Sequence, residues 1–421
     1  MIKATSANTV RERLEAARYA SRALAITTGA ERVAALEAIA VALERDSGAI
    51  LSANEKDLAT GRENGLAEGL LDRLTLTADR IVELSAAVRE IAALVDPLGQ
   101  VVRGSTLANG VRIEQVRVPF GVVGAIYEAR PNVTVDIAAL ALRSGNAVVL
   151  RGGSAALASN TQLAATLRGA IESTGLPADC IQTIDDFGRE GATELMRSRG
   201  LVDVLIPRGS ARLIETVVAD STVPVIETGA GIVHVYVDAD ADTSMAVSVV
   251  LNAKTHRPSV CNAAETVLIH RDAVSRVLTA LLDALRQAGV SVRGDAEAQG
   301  LSADVEPAAV DEWATEHLNL TLGLHIVGTL DEAIDHIAEY STHHTESIVT
   351  NNVRNAEIFL ARVDSAVVMV NASTRFTDGG VFGFGAEVGI STQKLHARGP
   401  MGVTELTSTK WLVRGDGQVR N

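Results

Sequence analysis

Apolar positions recur at helical spacing through the first quarter of the chain. Between residues 9 and 94, Leu14, Ala17 and Leu24, then Val33, Leu36, Ile39 and Leu43, fall on 3.6-residue faces, which predicts an α-helical opening segment. The period changes at Val101. Two β-type segments, Val101 to Arg103 and Val111 to Val118, flank a turn containing Ala108-Asn109-Gly110 and predict a projecting hairpin. From Pro119 onward, short apolar runs alternate with amphipathic stretches. Strands are expected at Gly121 to Tyr127, Ala147 to Leu150, Ile181 to Ile184, Val202 to Ile206 and Pro224 to Ile226, with helices over 133–144, 158–174, 189–198 and 209–219. That alternation is the mark of a parallel α/β sheet. A second α/β run follows from Ile232 to about Val370, with strands near 232–237, 265–269, 324–327, 347–350 and 366–370. Helices such as Ala273 to Ala288 and Asp331 to Tyr340 lie between them. The halves join near Gly229-Ala230-Gly231. A glycine-rich stretch (Gly379, Gly380, Gly383, Gly385, Gly389) then leads to a terminal strand at Lys410 to Arg414.

A chain of 421 residues suits two or three such domains. Aliphatic residues dominate its 47% apolar fraction while aromatics are only 3%, so the interior is expected to be Ala/Val/Leu/Ile packing. Aromatic stacking on single-stranded nucleic acid is thereby excluded. Thirty-eight Lys and Arg against 52 Asp and Glu give −14, and no nucleic-acid partner is expected. An acidic surface can still hold a basic pocket for a small anion. The longest apolar runs are strand-sized, so no membrane association is expected. Met1-Ile2-Lys3 followed by Arg11, Glu12, Arg13, Glu15 and Arg18 carries no export signal, which predicts a soluble, cytoplasmic protein.

Two α/β lobes suggest a nucleotide cofactor, yet there is no ordinary Gly-x-Gly-x-x-Gly turn and no Gly-Lys-Ser/Thr loop. Ala147 to Leu150 instead runs into Arg151-Gly152-Gly153-Ser154. That is either an ordinary strand-to-helix turn or a phosphate cradle whose guanidinium suits an adenosine 2′-phosphate. Ile206-Pro207-Arg208-Gly209-Ser210 is a second such turn, with Gly209 and Ser210 at a helix N-terminus, where N–H groups favour a pyrophosphate. Cys261 lies in the polar loop Arg257-Pro258-Ser259-Val260-Cys261-Asn262, with Lys254, His256 and Arg257 offering positive charge, so it is a candidate nucleophile as well as a candidate structural residue. Cys180, just before Ile181, reads as core filler. His343-His344 with Glu346 lacks metal-ligand geometry and reads as a surface loop, and His317, His325 and His336 read as scattered ordinary residues. No metal is expected.

Taken together, these residues resemble the aldehyde dehydrogenase superfamily, and more closely its glutamate-5-semialdehyde dehydrogenase, or γ-glutamyl phosphate reductase, branch. The specific stretches are Val118-Pro119-Phe120-Gly121-Val122-Val123-Gly124 through Glu128-Ala129-Arg130-Pro131-Asn132-Val133-Thr134, then Asn252-Ala253-Lys254 through Cys261-Asn262-Ala263. A third runs from Phe382-Gly383-Phe384-Gly385-Ala386-Glu387-Val388-Gly389 to His396-Ala397-Arg398-Gly399-Pro400-Met401-Gly402. The resemblance covers nearly the whole chain. It implies two parallel-sheet α/β domains plus a β-flap for oligomerisation. A dinucleotide-binding domain would take residues 1–100 and 119–228, and a catalytic domain 229–385. The flap and C-terminal segment would take 101–118 and 386–421.

The resemblance further implies Cys261 as nucleophile and Asn132 as the amide of the oxyanion hole. It places Arg151, Gly152 and Ser154 on the cofactor turn, Gly209 and Ser210 on the pyrophosphate turn, and Glu316 at the nicotinamide ribose. The Phe-Gly-Pro that normally follows that glutamate is missing here. Arg130, Arg257 and Arg375 are candidates for substrate phosphate or α-carboxylate, without assignment among them. The activity implied is NADPH-dependent reduction of L-glutamyl 5-phosphate to glutamate 5-semialdehyde in proline biosynthesis, by a homo-oligomer coupled to a separate glutamate 5-kinase. The competing reading is a hydrolytic NAD(P)-dependent aldehyde dehydrogenase, with Glu227, 34 residues before Cys261, as the base. Two departures from the branch stand out: Ile232-Val233 in place of Asn-Cys, and Asp185-Asp186-Phe187-Gly188-Arg189 in place of Asp-Arg.

Overall fold

The computed structural model describes residues 9 to 420, so Met1-Ile2-Lys3 lie outside the described residues. The chain divides into two compact units: residues 1–227, 383–389 and 401–421, and residues 228–382 and 390–400.

The first unit opens with five helices: α1 (Val10–Leu24), α2 (Gly29–Arg45), α3 (Ser47–Glu63), α4 (Glu68–Leu74) and α5 (Ala78–Ala93). Thr9 and Thr28 start α1 and α2 through capping boxes with Glu12 and Glu31, each satisfying otherwise orphaned amides. Strands β1 (Val101–Thr106) and β2 (Arg112–Pro119) then form an antiparallel hairpin. Gly110, at φ 85°, sits in its turn, where a side chain would be strained. Next come β3 (Val122–Tyr127), α6 (Pro131–Arg143), β4 (Ala147–Arg151), α7 (Leu157–Ser173), β5 (Ile181–Thr183), α8 (Gly188–Arg197), β6 (Val204–Arg208) and α9 (Ala211–Asp220). Their sheet is parallel with order β5-β4-β3-β6. All six residues of β3 are buried, as a central strand covered on both faces requires. Pro224 to Ile226 is not a strand: Val225 makes one isolated bridge to Leu205 before the chain leaves the sheet.

The second unit contains β7 (Val233–Val237), α10 (Thr243–Thr255), β8 (Ala264–His270), α11 (Val274–Gln287), β9 (Ser291–Gly294), α12 (Ala296–Leu301), β10 (Val305–Pro307), β11 (Thr321–Val327), α13 (Leu330–Tyr340), β12 (Thr345–Val349), α14 (Val353–Arg362) and β13 (Val367–Val370). Its seven-stranded sheet has order β10-β9-β11-β8-β7-β12-β13. Val235, Val237, Val267 and Ile269 on one sheet face pack with Val277, Leu281 and Leu285 of α11. Tyr236, Leu268 and Ile348 meet Ile334, Ile337 and Phe359 on the other face. Finally, β14 (Gly389–Ser391) pairs with β15 (Gly399–Met401), and β16 (Thr407–Arg414) adds to the hairpin as β1-β2-β16. No helix among the described residues is long and apolar enough to cross a membrane. This is the α/β architecture with parallel sheets that the pattern predicts.

Candidate active site

In the first unit the candidate residues gather at the carboxyl ends of three adjacent parallel strands, where open α/β sheets bind ligands. From β3 the chain passes Glu128 and Arg130 into α6, whose first turn holds Pro131 and the half-buried Asn132. Pro131 at the helix start costs no hydrogen bond there. The Asn132 side chain is oriented by its own helix: Nδ2 donates to Asp136 Oδ2 at 3.1 Å, one turn on. Burial pushes the Asp136 carboxyl up to about 6, against the opposing pull of Asn132 and Arg208.

At the end of β4, Gly152 is buried and its amide donates to Asp185 Oδ1 at 2.7 Å, while Asn160 Nδ2 donates to Asp185 Oδ2 at 2.9 Å. The glycine serves packing here, because an added Cβ would collide with Asn160. Asp185, one of the departures seen in the sequence, thus secures the turn. Its neighbour Asp186 pairs with Arg13 at 2.7 Å, whose guanidinium covers the Phe187 ring. Arg151 is half-buried, with Nε donating to Gly188 O at 3.4 Å. Ser154 is exposed beside an open cavity of about 520 Å³, which Lys56, Thr60 and Gln162 also line.

Gly209 and Ser210 precede α9, and the Ser210 amide does attract an anion. The anion is the protein's own: the exposed Glu128 carboxylate accepts from Ser210 N at 3.0 Å and Ser210 Oγ at 2.7 Å. Sequence reading missed Glu128, although it lies in the quoted Glu128-to-Thr134 stretch. Glu227 is half-buried and ends the first segment of this unit.

In the second unit Cys261 is half-buried on the loop between α10 and β8. The next residue is clamped: Asn262 Nδ2 donates to Thr377 O at 2.7 Å, and Thr374 Oγ1 donates to Asn262 O at 2.8 Å. On the other side Gly231 lies against the cysteine, and an added Cβ there would overlap the Cys261 carbonyl. Thr342 Oγ1 holds the flanking residues, donating to Ala230 O at 2.6 Å and accepting from Ile232 N at 3.0 Å. Ile232 and Val233, the other departure, are buried where the chain enters β7. Glu316 Oε1 accepts from Gly231 N at 2.7 Å. Arg375 Nε donates to His256 Nδ1 at 3.3 Å, which brings it to the cysteine loop, whereas Arg257 is exposed on that loop.

Two expectations about charge and histidines are overturned. Lys254 does not lend an exposed charge to Cys261; it is fully buried, with Nζ 2.6 Å from Glu265 Oε2. His344 and Glu346 are not in a surface loop either, since both are fully buried, and Glu346 accepts from His234. His234, His325 and His336 converge as a ring cluster with Trp313 and Tyr340. Parallel strands and α13 bring together residues some hundred positions apart, which no local pattern reveals. Cys180 is sealed in the core of its unit, and burial pushes its thiol up to about 12.

The aldehyde dehydrogenase family matches residues 1–314. A γ-glutamyl phosphate reductase of Clavibacter michiganensis is 66% identical over 97% of this chain and 94% of its own. One of Leifsonia xyli is 62% identical over the full length of both. The crystal structure of γ-glutamyl phosphate reductase from Thermotoga maritima is 45% identical, with a TM-score of 0.96 over 98% of this chain and 100% of its own. An acetylating aldehyde dehydrogenase of Geobacillus thermoglucosidasius, 18% identical with a TM-score of 0.71 over 98% of this chain and 97% of its own, shares the fold. The chain belongs to the aldehyde dehydrogenase family and, within it, to the γ-glutamyl phosphate reductases.

Proposed function

We propose that this oxidoreductase reduces L-glutamyl 5-phosphate with NADPH through a thioester on Cys261. The observation that carries the reading is the contrast between the two cysteines. Cys261 is half-buried on a polar loop fixed by Asn262, Thr374 and Thr377, while Cys180 is enclosed by core residues. The Cys261 thiolate attacks the acyl carbon and phosphate departs with the electron pair of the C–O bond, leaving the thioester. NADPH, when bound, supplies the hydride for its reduction. Collapse of the resulting thiohemiacetal returns the thiolate and frees the semialdehyde. Splitting one hard displacement into two easier steps is the gain from a covalent nucleophile.

Asn132 completes the oxyanion hole with the Cys261 amide, as the family resemblance implies. Its Nδ2 carries two hydrogens, and the bond to Asp136 engages one while fixing the direction of the other. Removing such a donor typically costs about 3–4 kcal/mol of barrier. Arg130, Arg257 and Arg375 take the substrate phosphate and α-carboxylate. The pyrophosphate of the cofactor goes to the amides at Gly209 and Ser210. A carboxylate already rests on Ser210, so these donors fit an anion, and Glu128 vacates them on binding. Arg151 reads the 2′-phosphate, with Gly152 and Ser154 shaping the turn. Glu316 serves the ribose.

The 1–100 and 119–228 segments are proposed as the dinucleotide-binding domain, 229–385 as the catalytic domain, and 101–118 with 386–421 as the flap and C-terminal segment. In the flap, β1 and β16 are edge strands carrying exposed Val101, Val102, Trp411 and Val413, a surface suited to pairing with a second copy in a homo-oligomer. The reaction is assigned to proline biosynthesis in the cytoplasm, with its labile acyl phosphate supplied by a glutamate 5-kinase. The test is oxidation of semialdehyde by NADP⁺ with and without phosphate. Dependence on phosphate, loss of activity in Cys261→Ala but not Cys180→Ala, and a smaller effect of Glu227→Gln than of Asn132→Ala support the reading. Rapid turnover without phosphate makes Glu227 the base of a hydrolytic enzyme instead.

A further inference from the structure

We propose that the buried Lys254–Glu265 ion pair is a positioning device for the nucleophile loop, acting through Glu316 and Gly231 on the backbone of Cys261. The inference rests on the reading of Cys261 as nucleophile.

The contacts form a continuous line within one unit. Lys254, in the last turn of α10, reaches Glu265 on β8 with no exposed side-chain surface. The second Glu265 oxygen accepts from Leu318 N at 3.2 Å. Leu318 has φ 54°, a conformation a non-glycine residue keeps only where its surroundings enforce it. The 316–318 segment is therefore set by Glu265. Two residues before Leu318, Glu316 accepts from Gly231 N, and Gly231 is seated on the Cys261 carbonyl. With Thr342 holding Ala230 and Ile232, the 230–232 backbone is a template against which the cysteine is placed.

A purely structural role accounts poorly for the ionic character of this pair. Two buried charges pay a desolvation cost that well-packed apolar residues avoid, so such pairs are weak evidence for stability. A third charge aggravates the cost: Glu316 lies within electrostatic range of both partners, and burial together with this second carboxylate pushes Glu265 upward while burial pushes Lys254 downward. The cation favours the ionised form of Glu265. A carboxylate is also the stronger acceptor for an amide such as that of Gly231.

The test compares Lys254→Met with the doubly neutral Lys254→Met/Glu265→Gln, which retains an acceptor for Leu318 N. The single variant leaves a buried carboxylate unpaired and is expected to lose stability. The double variant is expected to melt within a few degrees of wild type. Its kcat for semialdehyde oxidation with NADP⁺ and phosphate should nonetheless stay at least tenfold down. Its semialdehyde KM should change less than about threefold, and alkylation of Cys261 by iodoacetamide should slow at least fivefold. If the double variant regains kcat and alkylation rate to within threefold of wild type, the pair is structural and the proposal fails. Should the single variant not fold, the double variant decides alone. Turnover in Cys261→Ala would instead remove the reading beneath the proposal, which separates the two failures.

Discussion

Gly231→Ala probes the seating of Cys261, the proposed nucleophile, with the smallest available change. Gly231 is not among the positive-φ glycines, so alanine meets no backbone penalty and only the methyl matters. That methyl would overlap the Cys261 carbonyl oxygen and lie 2.8 Å from the Cys261 Cα, where carbon atoms prefer about 3.5–4.0 Å. The two segments must part by about 1 Å or more. They are pinned from outside by Thr342, Glu316, Thr374 and Thr377, so the strain falls on the cysteine loop. Overpacking of this kind typically costs about 1–3 kcal/mol of stability. A misplacement near 1 Å at a reacting group can cost about 100-fold in rate. The expected outcome is a folded protein with unchanged NADPH affinity by fluorescence titration and kcat lowered about 100-fold. A kcat within threefold of wild type would refute the claim that Gly231 fixes Cys261.

In the turns proposed to bind the nucleotide, Arg151→Ala should weaken NADPH binding more than NADH binding. Glu128→Gln should tighten both by about two- to fivefold, because the competing carboxylate at the α9 N-terminus is removed and such charges are worth about 0.3–1 kcal/mol. Equal effects of Arg151→Ala on the two cofactors, or weaker binding in Glu128→Gln, would contradict these roles. The histidine cluster should make the fold acid-sensitive. Burial foremost, then the neighbouring His234 and His325 against the opposing Asp295, push His336 down to about 3 from the ordinary 6.5. The unfolded chain takes up that proton below 6.5 and the native chain does not, so stability falls as pH drops from 6.5 toward 3, by about 1.4 kcal/mol per pH unit from this one group. Urea titrations of His336→Gln should show a flatter slope over that window, and an unchanged slope would remove His336 as its cause.

The fold was readable where one physical signal dominated. Apolar runs marked the fully buried β3 and β7, the latter interrupted only by His234, and the end of the 3.6-residue spacing together with the Asn109-Gly110 turn marked the hairpin at Val101. The short β9 and β10 escaped, since Ser291–Gly294 alternates exposure over four residues and Val305–Pro307 has one buried position. Pro224 to Ile226 misled because an apolar triplet bounded by proline can bridge a sheet edge without joining it. The polarity of their neighbours separated Cys261 from Cys180. Charge along the sequence did not reveal that Lys254 turns inward to Glu265, because its partner comes from the following strand across the cysteine loop. The interchange at Glu128 and Ser210 spans 82 positions, and only the adjacency of β3 and β6 creates it.

The covalent role of Cys261 is tested most directly by withholding phosphate. Mixed with semialdehyde and NADP⁺ alone, the enzyme should release a burst of one NADPH per Cys261, hold the glutamyl group on that cysteine as read by mass spectrometry, and stall until phosphate is added. Sustained NADPH formation without phosphate, with glutamate as product and no acyl group on Cys261, would contradict the account.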